Sequence, residues 1–191
     1  MNYKAVIFDF DGTVCQTGEG IRKSAAYALE SMGFPVPEDE NELNFFIGPP
    51  LLVTFQERYG ADPQTAEELV KKYRERYTNI GVYESEPYDG IEQLLQALKQ
   101  DGLKIGIASS KPKKYIETLL ERDGLIKYFD SVCGVSFTVD CESKANIIGR
   151  CMKELNSPPE ETMMVGDKRY DIEGAKANVM LSVGVLWGYG S

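Results

Sequence analysis

Short apolar runs typical of buried strands alternate with helical patterns along most of this chain. Five runs are predicted to form strands, at residues 5–8, 103–108, 131–135, 162–165 and 181–186. Between them, apolar residues recur at helical spacing, at 91–98, 115–120, 147–155 and 172–175. Pro112 is predicted to open the second of these helices and Ser143 to cap the third. The alternation predicts an α/β fold with a parallel sheet and right-handed crossovers.

One stretch, from about Gln16 to Glu84, interrupts the alternation because all of its apolar patterns are helical. The predicted helices span 21–32, 38–46, 50–59 and 63–78. A single α/β domain with a long excursion is the alternative, but the stretch has an apolar periodicity of its own. We therefore predict a helical domain at 16–84, inserted into a core formed by 1–15 and 85–191, with hinges near 15–18 and 83–87.

Composition and charge limit the kinds of molecule and ion that this protein is expected to bind. The 191 residues are 42% hydrophobic and 27% charged, as in ordinary soluble globular proteins. A net charge of −9 disfavours nucleic acid polymers and anionic membranes, because both need a basic face. The chain contains no histidine, which excludes histidine bases and histidine metal ligands. A site built from carboxylates and backbone oxygens favours hard cations, Mg²⁺ above all.

The cysteines and the first residues of the chain indicate in which cellular compartment the protein is expected to act. Cys15, Cys133, Cys141 and Cys151 form no CxxC pair, so neither a disulfide framework nor a zinc site is expected. No secretion signal follows Met1, and no apolar run is long enough to span a membrane. We therefore expect a cytoplasmic protein in a reducing environment, either a monomer or a homodimer.

Two carboxylates follow the first predicted strand directly, at Asp9 and Asp11. Burying them at a strand end would cost free energy unless something neutralised their charge. Gly12 allows a tight turn and a close approach of the backbone to a ligand. The pattern predicts a cation and a phosphoryl group at this strand end, and an acidic loop after an edge strand is the alternative.

Polar residues also follow the next three predicted strands. Singly, each has an ordinary explanation, such as a solvated lysine or a helix cap. Because the carboxyl ends of parallel strands form one rim where ligands bind, we expect these side chains to converge with the first two carboxylates. In chain order they are Ser109, Ser110, Lys111, Lys144, Asp167 and Asp171.

These motifs resemble those of the haloacid dehalogenase (HAD) superfamily of phosphatases. The likeness rests on the DFDGT sequence that begins at Asp9, on Ser109, on Lys144, and on the GDKRYD sequence that ends at Asp171. The layout is similar to that of phosphoglycolate phosphatases and of 5′-nucleotidase-like and pyrophosphatase-like members. The resemblance implies a Rossmann-like parallel sheet (the HAD core) with helices on both faces and an inserted all-α cap domain of the C1 type.

The resemblance also implies roles for the rim residues. It implies Asp9 as nucleophile, Asp11 as general acid and base, and Ser109 and Lys144 as phosphate ligands. Ser110 and Lys111 are near enough in sequence to bind the phosphate as well. Mg²⁺ is expected on Asp9, Asp167 and the backbone carbonyl of Asp11, while Asp171 is expected to hold a water bound to the metal.

The function expected from these roles is Mg²⁺-dependent hydrolysis of a small soluble phosphate monoester through an aspartyl-phosphate. Phosphoglycolate and nucleotide-like substrates are both compatible with the resemblance. A phosphomutase or a pyrophosphatase on the same scaffold is the alternative, because these enzymes share the core residues. A dehalogenase is disfavoured, since it has no use for Asp11 and Asp167. A phospho-accepting receiver module is the alternative from another class, but the helical insert has no place in it.

Two further segments carry expectations of their own. The loop Gly48-Pro49-Pro50 in the predicted cap is expected to contact the leaving group, although a plain helix–helix turn is nearly as good an explanation. Arg22, Lys23 and Arg58 are candidate contacts for an anionic leaving group.

Relatives normally continue past residues 187–191 through another strand and helix, so a packing layer is expected to be missing.

Overall fold

The computed structural model describes residues 3–137 and 142–190. Five of its strands form one parallel sheet in the order β5-β4-β1-β6-β7, which confirms the predicted α/β fold. Two short strands, β2 and β3, pair with each other in an antiparallel arrangement. The strands are β1 Ala5–Phe8, β2 Cys15–Gln16, β3 Glu86–Pro87, β4 Lys104–Pro112, β5 Ser131–Val135, β6 Thr162–Gly166 and β7 Leu181–Gly184.

The α-helices follow the predicted periodicity closely, with two corrections. The helix predicted at 38–46 is a 3-10 helix, Glu40–Phe46, whose N-cap Asp39 accepts a hydrogen bond from the amide of Asn41 at 2.8 Å. Pro112 precedes its helix as the N-cap and is not its first residue, since it still pairs with Val135 at the end of β4. The helices are α1 Gly18–Ser31, α2 Leu51–Tyr59, α3 Pro63–Asn79, α4 Ile91–Gln100, α5 Lys113–Arg122, α6 Lys144–Leu155 and α7 Arg169–Ala177.

Helices cover both faces of the sheet because alternate strand residues point to opposite sides. On one face, Ala5 and Ile7 join a buried cluster with residues of α6 and α7. On the other face, Val6 and Phe8 are buried, and α4 and α5 pack against β4. Gly106 lets α6 approach β4 closely, since a Cβ there would meet Cys151. This packing fixes the strand ends that carry the polar residues.

Contacts divide the chain into two compact units, Met1–Gln16 with Glu86–Ser191, and Thr17–Ser85. The two-stranded ribbon of β2 and β3 lies where the chain leaves and re-enters the first unit. Sequence reasoning missed this ribbon because two residues are too few to show a period of two.

The structure also describes the length of the helices and the state of the cysteines. None of the helices in the described ranges combines the length and hydropathy that a membrane crossing requires. Cys15, Cys133 and Cys151 are free thiols, whereas Cys141 lies outside the described residues.

The unit Thr17–Ser85 has its own core and its own ion-pair network. Helix α1 packs against α3, and the ring of Phe46 stacks with that of Tyr59 and packs at a tilt against that of Phe55. The guanidinium of Arg76 donates to both carboxylate oxygens of Glu84, at 2.7 and 2.9 Å. This two-pronged pair ties the end of α3 to the segment that leaves the unit.

We expect Arg76→Gln to lower the free energy of unfolding by about 1 kcal/mol, because it removes a fork-shaped pair that is only partly exposed. Lys71→Gln, which removes an exposed pair with Glu68 on the same helix, is the matched control and should change it by less than about 0.5 kcal/mol. Urea unfolding followed by circular dichroism measures both values. Equal effects of the two variants would show that the pair of Arg76 with Glu84 stabilises the protein no more than an exposed pair does.

Candidate active site

The turn after β1 places two carboxylates at the rim of the sheet. The Asp9 amide donates to the carbonyl of Val165 at 2.8 Å, which continues the β1–β6 ladder by one residue. Gly12 then adopts a φ of +84°, a left-handed conformation that glycine accepts without strain. The Gly12 amide donates to the carbonyl of Cys15 at 2.9 Å and closes the turn.

Lys144 meets two carboxylates at the centre of this rim. Its Nζ lies 2.6 Å from Oδ1 of Asp9 and 2.8 Å from Oδ1 of Asp171. Ser143 caps α6 by accepting a hydrogen bond from the amide of Asn146, as predicted, and this positions Lys144 at the first turn. The side chain of Lys144 is only 9% exposed, so the ordinary explanation of a solvated lysine is wrong.

Three carboxylates crowd together beside that ammonium group. Oxygens of Asp9, Asp167 and Asp171 all lie within 4.8 Å of one another. Burial raises the pKa of Asp9 to about 7, against the lowering effect of Lys144. Burial also raises the pKa of Asp167. Burial lowers the pKa of Lys144, but the charges and hydrogen bonds of Asp9 and Asp171 outweigh burial, so the pKa is raised. The cluster therefore has an excess of negative charge that a cation would relieve.

Asp171 also has a structural role. Its Oδ2 accepts a hydrogen bond from the amide of Lys168 at 2.9 Å, so it caps the first turn of α7. Gly166 packs directly against its carboxylate, and a side chain there would overlap it. Asp171 is thus the third residue of α7, which bonds back to the N-cap Lys168, and not itself the N-cap that its place in the sequence suggested, while Oδ1 belongs to the charged cluster.

Asp11 and Lys111 form a second buried pair at the rim. The Nζ of Lys111 lies 2.9 Å from Oδ1 of Asp11, and the two side chains are 4% and 7% exposed. The register of β4 and β5 shifts between Ala108 and Pro112, which lets the chain around Lys111 bend. The amide of Lys111 donates to Oγ of Ser109 at 3.3 Å, and Ser110 is half-buried beside it. Sequence reasoning placed Lys111 at the rim but did not identify its partner.

Asp167 is held by residues that sequence reasoning assigned no role. Its Oδ2 accepts hydrogen bonds from the amides of Tyr189 at 2.7 Å and Gly190 at 3.2 Å. Its Oδ1 is buried and has no hydrogen-bond partner within the ranges 3–137 and 142–190. Both donors are backbone amides, which every residue except proline carries, so no side-chain pattern at 187–190 indicated this contact.

These features fit a hard divalent cation. Asp9, Asp167 and Asp171 supply only oxygen donors, and the unpartnered Oδ1 of Asp167 is a buried acceptor that needs a positive partner. Asp11 lies outside this group of side chains, so its implied contact through the backbone carbonyl stays a prediction.

The candidate cap residues lie in the unit Thr17–Ser85 and have partners there. Gly48 has a φ of +104° just before the two prolines that precede α2. Arg22 donates to Asn44, Lys23 pairs with Glu19 and Glu84, and Arg58 lies over the ring of Phe45. Contact of these residues, or of Gly48 and Pro49, with a leaving group stays a prediction.

Comparison with known proteins identifies the family. Residues 6–185 match the haloacid dehalogenase-like hydrolases. Over 191 residues, all of this chain, it is 35% identical to a 5′-nucleotidase from Pseudomonas aeruginosa, of which it covers 86%. A crystal structure of a predicted phosphatase from Clostridium acetobutylicum superposes with a TM-score of 0.95 at 39% identity, over 100% of this chain and 88% of that one. The chain belongs to the haloacid dehalogenase-like hydrolase family.

Another relative is named for a different activity. The chain is 34% identical, over 97% of its length, to the tyrosine-protein kinase PtkA of Mycobacterium tuberculosis, and it covers 62% of that protein. The family match and the phosphatase relatives confirm the predicted family and enzyme class, a hydrolase of the phosphatase type. They do not fit a receiver module.

Proposed function

We propose that this protein is a Mg²⁺-dependent phosphatase that hydrolyses a small soluble phosphate monoester through an aspartyl-phosphate on Asp9. One observation carries the proposal: Lys144 is buried between Asp9 and Asp171, beside Asp167. Such a rim offers a nucleophile, a fixed positive charge and an oxygen-rich cation site together. The roles implied for these residues by the family's motifs agree with that chemistry.

In the first half-reaction, a carboxylate oxygen of Asp9 attacks phosphorus while the bond from phosphorus to the leaving oxygen breaks. Attack of one anion on another needs positive charge, and the Lys144 ammonium supplies it at 2.6 Å from the nucleophile. Ser109 and Ser110, in the C-terminal half of β4, donate hydrogen bonds to the phosphoryl oxygens. Asp11 gives its proton to the leaving oxygen.

In the second half-reaction, Asp11 takes a proton from a water molecule that attacks phosphorus, and the bond to Asp9 breaks. Lys111 fixes the position of Asp11 through the 2.9 Å contact with Oδ1. This contact is deeply buried, so it holds Asp11 in the same place in both half-reactions. Asp11 is therefore positioned to act first as an acid and then as a base.

The cation would be held by Asp9, Asp167 and the backbone carbonyl of Asp11, and Asp171 would hold a water bound to the cation. Bound there, Mg²⁺ supplies electrostatic stabilisation of the charge that develops on the phosphoryl oxygens. The donor set contains only oxygen, which suits Mg²⁺ and Mn²⁺ better than Zn²⁺.

Residues 16–84 are proposed to act as a helical cap that selects the substrate. Nucleoside monophosphates are the first substrates to test, because the 5′-nucleotidase relative is similar over the whole chain. Phosphoglycolate, a sugar phosphate and pyrophosphate are the others, and the last tests the pyrophosphatase alternative. We further propose that the protein acts in the cytoplasm as a monomer or homodimer.

We expect hydrolysis of p-nitrophenyl phosphate to require Mg²⁺ and to stop when EDTA is in excess. The physical reason is the uncompensated negative charge of the rim, which repels a phosphate until a cation is bound. Phosphate release from the substrate panel is the measurement. Full activity in excess EDTA would contradict the proposal, and preferred hydrolysis of pyrophosphate would replace the monoester as substrate.

We expect Pro49→Ala to change the ratio of kcat/KM values between a nucleoside monophosphate and p-nitrophenyl phosphate, because discrimination requires contacts that differ between substrates. Pro37→Ala, a proline of the same unit outside the loop, is the control. Equal losses on every substrate would refute a selecting role for the loop.

A further inference from the structure

We propose that residues 187–190, here named the Asp167 clasp, orient the Asp167 carboxylate and thereby set the affinity of the site for its divalent cation. The clasp consists of Trp187, Gly188, Tyr189 and Gly190. The proposal rests on the function proposed above, because it needs Asp167 to be a cation ligand. It assigns the clasp a positioning role, since none of its side chains belongs to the cluster of carboxylates.

The clasp gives the two oxygens of the Asp167 carboxylate different surroundings. Oδ2 of Asp167 accepts two backbone amides from the clasp, at 2.7 Å from Tyr189 and 3.2 Å from Gly190. Oδ1 is buried, without a hydrogen-bond partner in the described part of the chain, and an oxygen of Asp167 lies within 4.8 Å of Asp9 and Asp171. With Oδ2 held by two donors, the carboxylate cannot rotate freely, and Oδ1 stays available to the cation. Such partners behind a metal ligand commonly set its orientation.

Three side-chain contacts anchor the clasp itself. The indole Nε1 of Trp187 donates to the carbonyl of Thr13 at 3.2 Å, in the same turn that carries Asp9 and Asp11. The Nζ of Lys168 donates to the carbonyl of Tyr189 at 3.0 Å. The ring of Tyr88 lies 6.2 Å from that of Trp187. The clasp is therefore tied both to the turn after β1 and to the residue that follows Asp167.

The glycines of the clasp leave no room for a side chain against Asp167. A Cβ at Gly188 would overlap the side chain of Asp167 and the carbonyl of Gly12, and a Cβ at Gly190 would overlap the carbonyl of Asp167. At Gly184, the last residue of β7, a Cβ would meet no atom within 4 Å, so this glycine offers a matched comparison. The clasp thus fits Asp167 closely from the backbone side.

A purely structural clasp would hold the chain in place without affecting the cation. The two explanations differ in what a mild variant changes. Trp187→Phe keeps an aromatic ring at a half-exposed position and deletes only the Nε1 hydrogen bond to Thr13. Lys168→Gln shortens the side chain that holds the carbonyl of Tyr189. A positioning role predicts weaker cation binding in both, whereas a structural role predicts only a lower unfolding temperature.

The test is a Mn²⁺ titration of the purified protein, with free Mn²⁺ measured by electron paramagnetic resonance. Mn²⁺ is the probe because oxygen ligands that suit Mg²⁺ also suit Mn²⁺. Wild type is compared with Asp167→Asn, Gly188→Ala, Trp187→Phe, Lys168→Gln and the control Gly184→Ala. Thermal unfolding in EDTA is recorded for each, together with kcat and KM for p-nitrophenyl phosphate at saturating Mg²⁺.

We expect Gly188→Ala to raise the Mn²⁺ dissociation constant about 10- to 100-fold, and Trp187→Phe and Lys168→Gln to raise it about threefold. Gly184→Ala should bind Mn²⁺ as wild type does. At saturating Mg²⁺, Gly188→Ala, Trp187→Phe and Lys168→Gln should keep much of the wild-type kcat, and the unfolding temperature in EDTA should change little in the two mild variants. If Gly188→Ala does not fold, the two mild variants decide the question.

Two contrary results are distinguishable. If Asp167→Asn weakens Mn²⁺ binding while Gly188→Ala, Trp187→Phe and Lys168→Gln bind it as wild type does, the clasp proposal is overturned and the proposed function stands. If Asp167→Asn itself binds Mn²⁺ like wild type, Asp167 is not a ligand, and the proposed function falls together with the clasp.

Discussion

Asp9→Asn is expected to reduce turnover of p-nitrophenyl phosphate by several orders of magnitude while the protein stays folded. An amide cannot act as the nucleophile, so the covalent route is lost rather than slowed. Folding should survive because burial already disfavours the charged carboxylate at this position, and Asn is neutral and almost the same shape. The measurement is kcat at saturating Mg²⁺, beside thermal unfolding in EDTA.

Asp101→Asn is the matched control for this variant. Asp101 is exposed in the turn after α4 and belongs to none of the clusters at the rim. Its replacement should leave both kcat and the unfolding temperature at wild-type values. If Asp9→Asn retains more than about one-tenth of the wild-type kcat, Asp9 is not the nucleophile. If it fails to fold, Asp9→Ser, which keeps a small polar side chain, provides the second measurement.

Lys144→Met is expected to lower both activity and stability. Removing the ammonium leaves Asp9 and Asp171 buried side by side without their counter-charge, and breaking such a buried pair costs about 3–5 kcal/mol. Loss of a fixed positive charge at the phosphoryl site should reduce kcat at least about 10²-fold, as loss of one donor at a developing oxyanion does.

Lys153→Met is the control for this second prediction, because Lys153 is an exposed lysine on the same helix, α6. It should change the free energy of unfolding by less than about 0.5 kcal/mol. Added Mg²⁺ should restore part of the stability of Lys144→Met, since a cation at Asp9 also neutralises the cluster. A Lys144→Met enzyme with wild-type kcat would show that Lys144 has only a structural role.

Much of the fold was predictable because its signals are local and periodic. Strand β1 and strand β5 have the predicted limits, and α6 begins after the predicted cap, Ser143. Each depends on a continuous run of apolar residues or on a single capping side chain. The convergence of Asp9 with Lys144 was also predictable, because a parallel sheet brings the carboxyl ends of its strands to one rim.

What was missed depends on contacts between residues far apart in sequence. The pairing of Lys111 with Asp11 requires a register shift in β4 that no periodicity shows. The hydrogen bonds from Tyr189 and Gly190 to Asp167 come from the backbone, which every residue carries, so composition gives no sign of them. The ribbon of β2 and β3 is too short to have a pattern.

The most direct test of the proposed mechanism is to trap the covalent intermediate. The enzyme is mixed with p-nitrophenyl phosphate and Mg²⁺, quenched within milliseconds, and treated with borohydride, which reduces an acyl phosphate to an alcohol. Peptide mass spectrometry then locates the altered residue. The proposed mechanism predicts that Asp9 is converted to homoserine and that the conversion is absent without substrate. Modification of another carboxylate in place of Asp9, or steady turnover with Asp9 unmodified at every time point, would contradict it.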